Sequence, residues 1–439
     1  MRKGFIFNHN KCVACNACSA ACILENGWTI HAREILIYNN EAYPELPVID
    51  LSLSCNHCES PVCLDGCPSS SYTRDVNTGA ILIDDKKCIG CKYCQWNCPY
   101  DAPKLDSGKR IIGKCNLCYS RLNEGYLPSC SSACPTGALS FGEITSEESG
   151  KAFTWFPEKK LIPAINFTGK TSNIPLRIIP DKSDASIDQR DGIERQNDFK
   201  TEWSLMLFSF IITLSVATFI SSFIRGVIPN KILFLSMILI AGVISLFHLG
   251  KKNRAWRAIS NWKKSPLSRE IVLFILYSVV SIVSLYSMIP GLFIASCISG
   301  LILLIAIDSV YIFADKRASL FFHSGQTFLS GLFIVSMLSG AMVPFLFIAV
   351  LKLATTAYSL FLNKSWNVYV LRYLRLGLLL VVCAKLILDA SFSNGVIILL
   401  FLTGEFLDRL LFYIDFKPLN INRLINRQFN KDKNEKERG

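Results

Sequence analysis

The sequence predicts a small α+β domain followed by an all-α bundle of about eight transmembrane helices. Sixteen of the 18 cysteines lie between residues 12 and 134, where apolar runs are short, as at 80–83 and 138–141. From residue 203 onward the apolar runs are long, and the chain is 51% hydrophobic but only 18% charged. An ordinary globular chain has about 25% charged residues. These observations exclude a wholly disordered chain and indicate a cysteine-rich soluble part joined to a membrane part.

The composition divides the chain into four segments. Residues 1–145 form the cysteine-rich domain, and residues 146–202 form a polar linker that we expect on its surface. Residues 203–415 hold the apolar spans, and residues 416–439 form a basic, polar tail. Each span approaches the roughly 20 residues that cross about 30 Å of hydrocarbon. The spans are predicted at 203–224, 230–249, 270–289, 291–313, 325–341, 343–362, 373–391 and 394–414.

The excess of positive charge lies in the second half of the chain. Residues 203–439 contain 24 Lys and Arg against 10 Asp and Glu. Basic residues between apolar segments are typical of membrane loops, whereas a nucleic-acid-binding protein carries them on a folded soluble domain. We therefore expect no nucleic-acid partner. An even number of spans puts both chain ends on the side with most basic loops, which predicts the cysteine domain on the cytoplasmic face of the inner membrane.

The N-terminal residues do not form the pattern of a signal peptide. Met1, Arg2 and Lys3 precede an apolar stretch that is too short for one. We therefore expect the cysteines to begin in a reducing compartment, which argues against a disulfide framework.

Four runs of four cysteines dominate the first domain. The runs at 12–22 and 88–98 follow C-x2-C-x2-C-x3-C, whereas those at 55–67 and 115–134 follow C-x2-C-x4-C-x3-C and C-x2-C-x11-C-x3-C. This is the pattern of bacterial ferredoxins, in which the fourth cysteine of a run binds a different [4Fe–4S] cluster from the first three. Zinc sites instead use two separated pairs or Cys/His sets. The runs therefore predict four [4Fe–4S] clusters in a ferredoxin-like domain, but spacing alone does not show which runs are paired.

Residues 5–143 resemble the four-cluster electron-transfer (B) subunit of the dimethyl sulfoxide reductase family of molybdenum enzymes. The stretches 54–58, 88–94 and 98–100 carry the resemblance. In that family the runs pair in a nested way. The resemblance therefore implies four iron-ligand sets: Cys12, Cys15, Cys18 and Cys134; Cys115, Cys118, Cys130 and Cys22; Cys55, Cys58, Cys63 and Cys98; and Cys88, Cys91, Cys94 and Cys67. Because a cysteine stands at position 91, four four-iron clusters are implied.

Residues 203–415 resemble the membrane-anchor (C) subunit of the same enzymes, so the chain looks like a fusion of the two subunit types. The matching stretches are 247–250, 254–257, 267–270, 404–405 and 409–413. The resemblance implies that His248 and Glu270 belong to a menaquinol-oxidation site. A histidine beside a carboxylate can accept protons as electrons leave a hydroquinone. The residues by themselves are equally consistent with a helix-end role for both.

Charged residues inside the predicted spans require partners, because an unpaired charge in hydrocarbon is costly. Glu405 and Arg409 are four residues apart and can neutralise each other on one helix face. Asp308 and Lys352 have no local partner. We expect structural pairing across helices rather than a proton path. Cys297 and Cys383 lie in spans and are interpreted as small core residues.

Other cofactors are not expected. Only His248 and His323 lie in the membrane half, which is too few for two bis-histidine b haems. The sequence contains no C-x-x-C-H, G-x-G-x-x-G or P-loop pattern, so c-type haem, flavin and nicotinamide have no support.

The leading hypothesis is the electron-transfer and membrane-anchor subunit of an oxidoreductase of anaerobic respiration. Electrons would pass from menaquinol in the quinone pool through four [4Fe–4S] clusters to a separate molybdopterin-containing catalytic subunit. The terminal substrate site would lie on that partner, so it is open whether this chain is itself an enzyme. One alternative is reverse flow from a dehydrogenase partner to quinone, as in polysulfide or thiosulfate systems. A membrane redox sensor is a third possibility, which needs only one labile cluster and an output module. The membrane face also stays open, because relatives with an exported catalytic subunit face the periplasm.

Overall fold

The structure is a computed structural model, and the residues that it describes form two compact units. The first unit contains residues 1–195, 253–265 and 418–439, and the second contains residues 196–252 and 266–417. Most of the predicted linker 146–202 and of the predicted tail 416–439 lies outside the described residues. The described residues are 2–145, 156, 159–169, 199–315, 323–362, 366–389, 392, 394–416, 418, 421–422 and 424–425.

The described part of the first unit contains short strands and short helices. The strands are β1 (Arg2–Asn8), β2 (Arg33–Tyr38), β3 (Ile49–Ser54), β4 (Tyr72–Arg74), β5 (Ile81–Ile83), β6 (Lys104–Asp106), β7 (Ile111–Gly113), β8 (Leu139–Ile144) and β9 (Ile165–Thr168). The helices are α1 (Ala17–Asn26), α2 (Val62–Asp65), α3 (Tyr93–Asn97), α4 (Tyr119–Asn123) and α5 (Ser129–Ser132). This mixture confirms the predicted α+β class of the domain.

A three-stranded sheet of order β8-β1-β9 closes the unit at one side. The central strand β1 pairs antiparallel with β8 and parallel with β9. Alternate residues Phe5 and Phe7 of β1 are buried, as the two-residue period of a strand requires. The remaining strands pair as three antiparallel hairpins, β2 with β3, β4 with β5 and β6 with β7. These hairpins separate the cysteine runs.

Two segments distant in sequence complete the first unit. Ile421 and Ile425, which follow the last helix of the chain, are buried in the same hydrophobic core as Phe5 and Phe7. The hydroxyl of Tyr38 donates a hydrogen bond of 2.9 Å to the side-chain oxygen of Asn422. The second segment comprises residues 253–265. The sequence predicted neither association.

The described part of the second unit consists of helices. They are α6 (Phe199–Ile224), α7 (Lys231–Ser245), α8 (Pro266–Ser287), α9 (Pro290–Asp315), α10 (Thr327–Ser339), α11 (Met342–Leu362), α12 (Trp366–Asp389) and α13 (Gly395–Asp415). Asparagine side chains cap two of them: Asn230 accepts from the Leu233 amide at 3.1 Å, and Asn394 accepts from the Val396 amide at 2.9 Å. These caps satisfy amides that a helix leaves unpaired at its first turn.

Four of these helices are long and apolar enough to cross a membrane. They correspond to the first four predicted spans and cover Glu202–Ile224, Lys231–His248, Pro266–Ser287 and Pro290–Ala314. The helix α10 is only 13 residues long, in line with the short fifth span. The helices α12 and α13 carry several charged residues, which lowers their hydropathy. The membrane character of the second unit is thus supported by four spans, and a count of eight transmembrane helices stays a prediction.

Candidate functional site

Each cysteine run begins with a tight C-x2-C turn that uses the same backbone conformation. The residue before the second cysteine has a positive φ in all four turns: Ala14 at 51°, His57 at 41°, Gly90 at 68° and Leu117 at 63°. Only one of these is glycine, so the other three adopt a left-handed conformation that side chains disfavour. Such strain persists where the surrounding structure holds it, and it is common at functional sites.

None of the 18 cysteines, all of which the structure describes, forms a disulfide bond. In the first two ligand sets, burial is the main cause of the raised pKa of Cys12, and Cys18 and Cys134 raise it further. Burial, with Cys130 next, raises the pKa of Cys22 to about 12. The thiols that interact in this way belong to nested runs, since Cys134 lies near Cys12 and Cys130 lies near Cys22.

The third and fourth sets show the same arrangement. Burial raises the pKa of Cys58, and the next causes are Cys55 and Cys98. Burial also raises the pKa of Cys94, followed by the effects of its neighbours Cys91, Cys67 and Cys88. In each case at least one of the interacting thiols comes from another run, and the nested pairing stays a prediction.

A cavity in the first unit tests whether a cluster fits. It contains about 370 Å³ of space that no atom fills, part of which is open to solvent. Four thiols line it, and they are the complete third set: Cys55, Cys58, Cys63 and Cys98. Among the described residues, no three metal-ligating side chains converge closely enough to hold one ion. Four cysteines around a shared cavity are instead the donor set of a [4Fe–4S] cluster, so the residues fit this group.

Hydrogen bonds to sulfur surround several of these thiols. The backbone amides of Ile112, Leu117 and Leu139 donate to the sulfurs of Cys88, Cys115 and Cys134 at 3.5, 3.4 and 3.4 Å. The Cys67 sulfur lies 3.1 Å from the Ser71 hydroxyl and accepts from the Ser71 amide at 3.5 Å. Donors of this kind stabilise negative charge on a cluster and adjust its reduction potential.

Two buried cations lie among the cysteines. Arg33 is 2% exposed, donates to Ser52 and Ser54 at 3.0 and 2.8 Å, and stacks 4.3 Å from the ring centre of Phe5. Its guanidinium interacts electrostatically with four thiols of the first two sets: Cys130, Cys115, Cys18 and Cys22. Lys114 is 3% exposed and lines the cavity of the third set. A buried charge is normally costly, and thiolate ligands would compensate it at both places.

The segment 253–265 contacts the backbone of the fourth ligand set. Arg254 donates to the carbonyl oxygen of Cys88 at 3.0 Å, and the Asn261 side chain donates to that of Cys67 at 3.0 Å. The Asn261 amide donates to Pro68 at 3.1 Å, and the Ser265 hydroxyl donates to the Gly66 carbonyl at 2.8 Å. These contacts clamp residues next to two predicted iron ligands. The partners of the Arg254 guanidinium are two backbone carbonyls, those of Asp85 and Cys88.

The predicted quinol residues lie in the second unit. Glu270, in the second turn of α8, is 5% exposed, and its electrostatic neighbours include Arg409 and Asp308. His248 ends a short 3-10 turn after α7, is half-buried, and its Nδ1 contacts the Ser245 carbonyl oxygen. The resemblance implied a role for Glu270 in a quinol site, but the sequence did not predict its burial or its neighbours.

Arg409 is the centre of that neighbourhood. It is 2% exposed and lies 3.5 Å from the Asp308 carboxylate, and its Nε donates to Ser209 at 2.9 Å. Its Nη2 is buried and has no hydrogen-bond partner among the described residues. The hydroxyls of Tyr311 and Tyr413 lie 2.6 Å apart beside it. The signal in the sequence that could have identified this group is an arginine within an apolar segment, where a charge needs a partner.

Lys352 belongs to a second buried ionic group. Its ammonium, which is completely buried, lies 2.6 Å from Glu405 and 3.0 Å from Asp408. Arg375 lies 2.7 Å from Asp408 and donates to Thr356 at 2.8 Å. Asp308 and Lys352 were each expected to pair with a charge on another helix. This is confirmed, because Asp308 lies near Arg409 and Lys352 lies near Glu405 and Asp408. The intrahelical pairing of Glu405 with Arg409 was wrong, because each has a closer partner on another helix.

His323 and the two remaining cysteines have separate surroundings. The Nδ1 of His323 accepts from the Gly325 amide at 2.9 Å, and its Nε2 lies 3.1 Å from the Asp415 carboxylate. Arg372 donates to both oxygens of the same carboxylate at 2.7 Å. Cys297 and Cys383 are half-buried in their helices.

The sequence of the first unit is similar to iron–sulfur subunits. Residues 48–144 match a family model described as a 4Fe-4S dicluster domain. The chain is 36% identical over 152 residues to the B-type chain of anaerobic dimethyl sulfoxide reductase from Haemophilus influenzae, which covers 32% of this chain and 74% of that protein. It is 32% identical over 167 residues to the B-type subunit of sulfite dehydrogenase from Allochromatium vinosum, covering 33% and 70%. It is 31% identical over 153 residues to the B-type subunit of tetrathionate reductase from Salmonella typhimurium, covering 34% and 60%.

Proposed function

Because the chain belongs to the family of iron–sulfur electron-transfer subunits of molybdoenzyme-type complexes, which includes the B-type chain of anaerobic dimethyl sulfoxide reductase, we propose that it conducts electrons from menaquinol to a separate molybdopterin-containing catalytic subunit. The proposal adds the quinol site, the direction and the partner's cofactor to the family assignment. The observation that carries it is the proximity of thiols from different cysteine runs, together with the cavity that Cys55, Cys58, Cys63 and Cys98 line.

The four nested sets would hold four [4Fe–4S] clusters. When bound, such clusters supply one-electron carriers whose potentials depend on burial and on hydrogen bonds to sulfur. The protein contributes the strained turns that aim the thiols, the amide donors around them and the buried cations Arg33 and Lys114. The nested pairing is proposed on the electrostatic proximity of thiols from different runs.

Replacing Cys67 with serine tests the pairing. We expect this variant to lose or alter the cluster of Cys88, Cys91 and Cys94, because Cys67 supplies its fourth thiolate. About a quarter of the iron should be lost, since each of four clusters holds four irons. The measurement is iron content and low-temperature EPR of the reduced protein, with Cys94→Ser as the variant that removes the same signal. Cys63→Ser, in the same run as Cys67, should remove a different signal. If Cys67→Ser and Cys63→Ser remove one and the same signal, the nested pairing is wrong.

Quinol oxidation is assigned to the second unit. Glu270 would accept a proton from the hydroquinone, as a carboxylate within a buried site can. Arg409, whose Nη2 is unpartnered among the described residues, would donate to a quinone oxygen, and His248 would accept the second proton. In the sequence, the segment that clamps Cys67 and Cys88 lies between His248 and Glu270. We therefore propose that the fourth ligand set is the first to receive electrons.

Reverse flow is the second candidate. The relatives carry the names of both reductases and a dehydrogenase, which favours a scaffold that serves either direction. Cluster potentials decide between the two directions. Potentials above that of the menaquinone/menaquinol couple favour oxidation of menaquinol, and lower potentials favour reduction of menaquinone. A redox sensor is less favoured, because four complete ligand sets exceed what a sensor requires.

The partner is tested by composition. We expect the complex purified from anaerobic cell membranes through a tag on this chain to contain molybdenum and a second, larger polypeptide. The measurement is metal analysis together with mass spectrometry of the copurified proteins. The chain purified with its full iron content but without molybdenum or a second polypeptide would contradict the partner assignment.

The proposed location is the inner membrane, with the first unit on its cytoplasmic face.

A further inference from the structure

His57 has no part in the ligand sets, yet it lies at one of them. It stands between Cys55 and Cys58, is 2% exposed, and lines the cavity of the third set. Its backbone is one of the left-handed positions, at φ 41°. The strained turn therefore places an imidazole beside four thiols. An apolar side chain could be buried there without a hydrogen-bond partner, whereas an imidazole needs one.

The hydrogen bonds of the ring determine which nitrogen carries the proton. The backbone amide of Ile81 donates to Nδ1 of His57 at 2.9 Å. A nitrogen that accepts a hydrogen bond holds no proton, so the ring proton of His57 is on Nε2. The same Ile81 accepts at its carbonyl oxygen from the Lys114 ammonium, which also donates to the Cys115 carbonyl at 2.8 Å. Both the amide and the carbonyl of Ile81 are thus engaged, and the amide holds the imidazole in one orientation.

The other edge of the ring has no partner in the part of the chain that the structure describes. Nε2 is buried and has no hydrogen-bond partner among the described residues. A buried donor without an acceptor is unusual, because it loses its bonds to water. The ring lines a cavity surrounded by Cys55, Cys58, Cys63 and Cys98, where the acceptors would be the sulfur atoms of a cluster. Hydrogen bonds from groups outside the direct ligands orient and tune a metal centre, and the Ile81 contact leaves Nε2 of His57 as the nitrogen that can donate one.

We propose that His57 is a positioning residue that donates its Nε2–H to a sulfur of the cluster held by Cys55, Cys58, Cys63 and Cys98 and raises the reduction potential of this cluster. The inference rests on the proposed function in one respect, namely that this set holds a [4Fe–4S] cluster. Reduction adds one electron and so increases the negative charge on sulfur. A donor to sulfur therefore stabilises the reduced state more than the oxidised state.

The test measures hydrogen bonding and potential in the full-length protein with its clusters bound. Wild-type protein containing ¹⁵N-histidine is reduced and studied by pulsed EPR, with and without exchange into D2O. The expected result is a coupling of one histidine nitrogen and one exchangeable proton to one cluster. EPR-monitored redox titration of His57→Leu should then shift one of the four midpoint potentials to a lower value and leave three unchanged. His31→Leu, at an exposed histidine of the same unit, is the matched control and should shift none.

The outcomes separate this inference from the proposed function. Clusters present at full iron content without histidine coupling in the wild type would overturn the role of His57 and leave the electron conduit intact. Unchanged potentials in an iron-replete His57→Leu variant would overturn it as well. His57→Gln, whose side-chain amide can also donate a hydrogen bond, should lower this midpoint potential less than His57→Leu does. If His57→Leu loses its cluster, the wild-type coupling alone decides the matter. Protein without any iron would contradict the proposed function itself.

Discussion

Replacing Glu270 with glutamine is expected to slow the reduction of the clusters by menaquinol about 100-fold or more, in the range that positioned proton transfer contributes. Glutamine has nearly the same size and can still form hydrogen bonds, but it cannot accept the hydroquinone proton. Glu270 is buried beside Arg409 and Asp308, so water cannot easily replace its carboxylate as the proton acceptor. The measurement is the rate of cluster reduction after adding menaquinol to anaerobic membranes.

Two controls separate proton transfer from damage to the fold. Glu202→Gln changes a half-buried acidic residue of the same unit and should leave the rate within about twofold, as expected for a site outside the chemistry. Dithionite should reduce the clusters of both variants to the wild-type extent. A Glu270→Gln variant that accepts electrons from menaquinol at the wild-type rate would remove Glu270 from the quinol site.

Replacing Lys352 with methionine is expected to destabilise the second unit by about 3–5 kcal/mol, the cost of removing one partner from a buried ion pair. The four charges of this group balance: Lys352 and Arg375 are positive, and Glu405 and Asp408 are negative. Loss of the ammonium leaves Glu405 buried without its partner at 2.6 Å. The measurement is thermal unfolding of the detergent-solubilised protein.

A double variant makes this prediction specific. Adding Glu405→Gln to Lys352→Met restores the charge balance and leaves the Arg375–Asp408 pair at 2.7 Å. Much of the lost stability should return, because the unpaired carboxylate is gone. If the double variant is no more stable than Lys352→Met, the buried pair does not explain the loss.

The cysteine runs could be recognised as the mark of a 4Fe-4S domain because their chemistry is local. Three thiols in a C-x2-C-x2-C turn already approach one side of a cluster, and this geometry depends on a few backbone angles. The pairing of runs needed the resemblance, since Cys22 and Cys130 are far apart in sequence and spacing cannot join them. The role proposed for His57 depends on the Ile81 amide, whose position is set by a hairpin that the sequence did not specify.

The contributions of distant segments could not be predicted. Residues 253–265 have the composition of a basic membrane loop, yet their side chains bind the carbonyls of Cys67 and Cys88. Ile421 and Ile425 lie in a short, partly apolar stretch of a polar tail, and such a short stretch does not show which surface will bury it. Tertiary contacts decide these cases, whereas periodicity reports only one element at a time.

The ion pairs of the second unit show a similar limit. Glu405 and Arg409 are spaced for an intrahelical pair, but the pairing depends on which helices pack against each side of α13. Lys352 on α11 and Asp308 on α9 provide closer opposite charges than the helix itself does. The sequence indicated that these charges need partners and left the choice of partner to the packing.

The measurement that tests the central claim most directly is cluster reduction by menaquinol in wild type and in His248→Ala. Anaerobic membranes that contain the chain receive a menaquinol analogue, and low-temperature EPR follows the clusters. The account predicts that the clusters of the wild type become reduced and that those of His248→Ala stay oxidised, although dithionite reduces both. Clusters that menaquinol cannot reduce in the wild type, while dithionite reduces all four, would contradict the proposed flow of electrons from quinol into this chain.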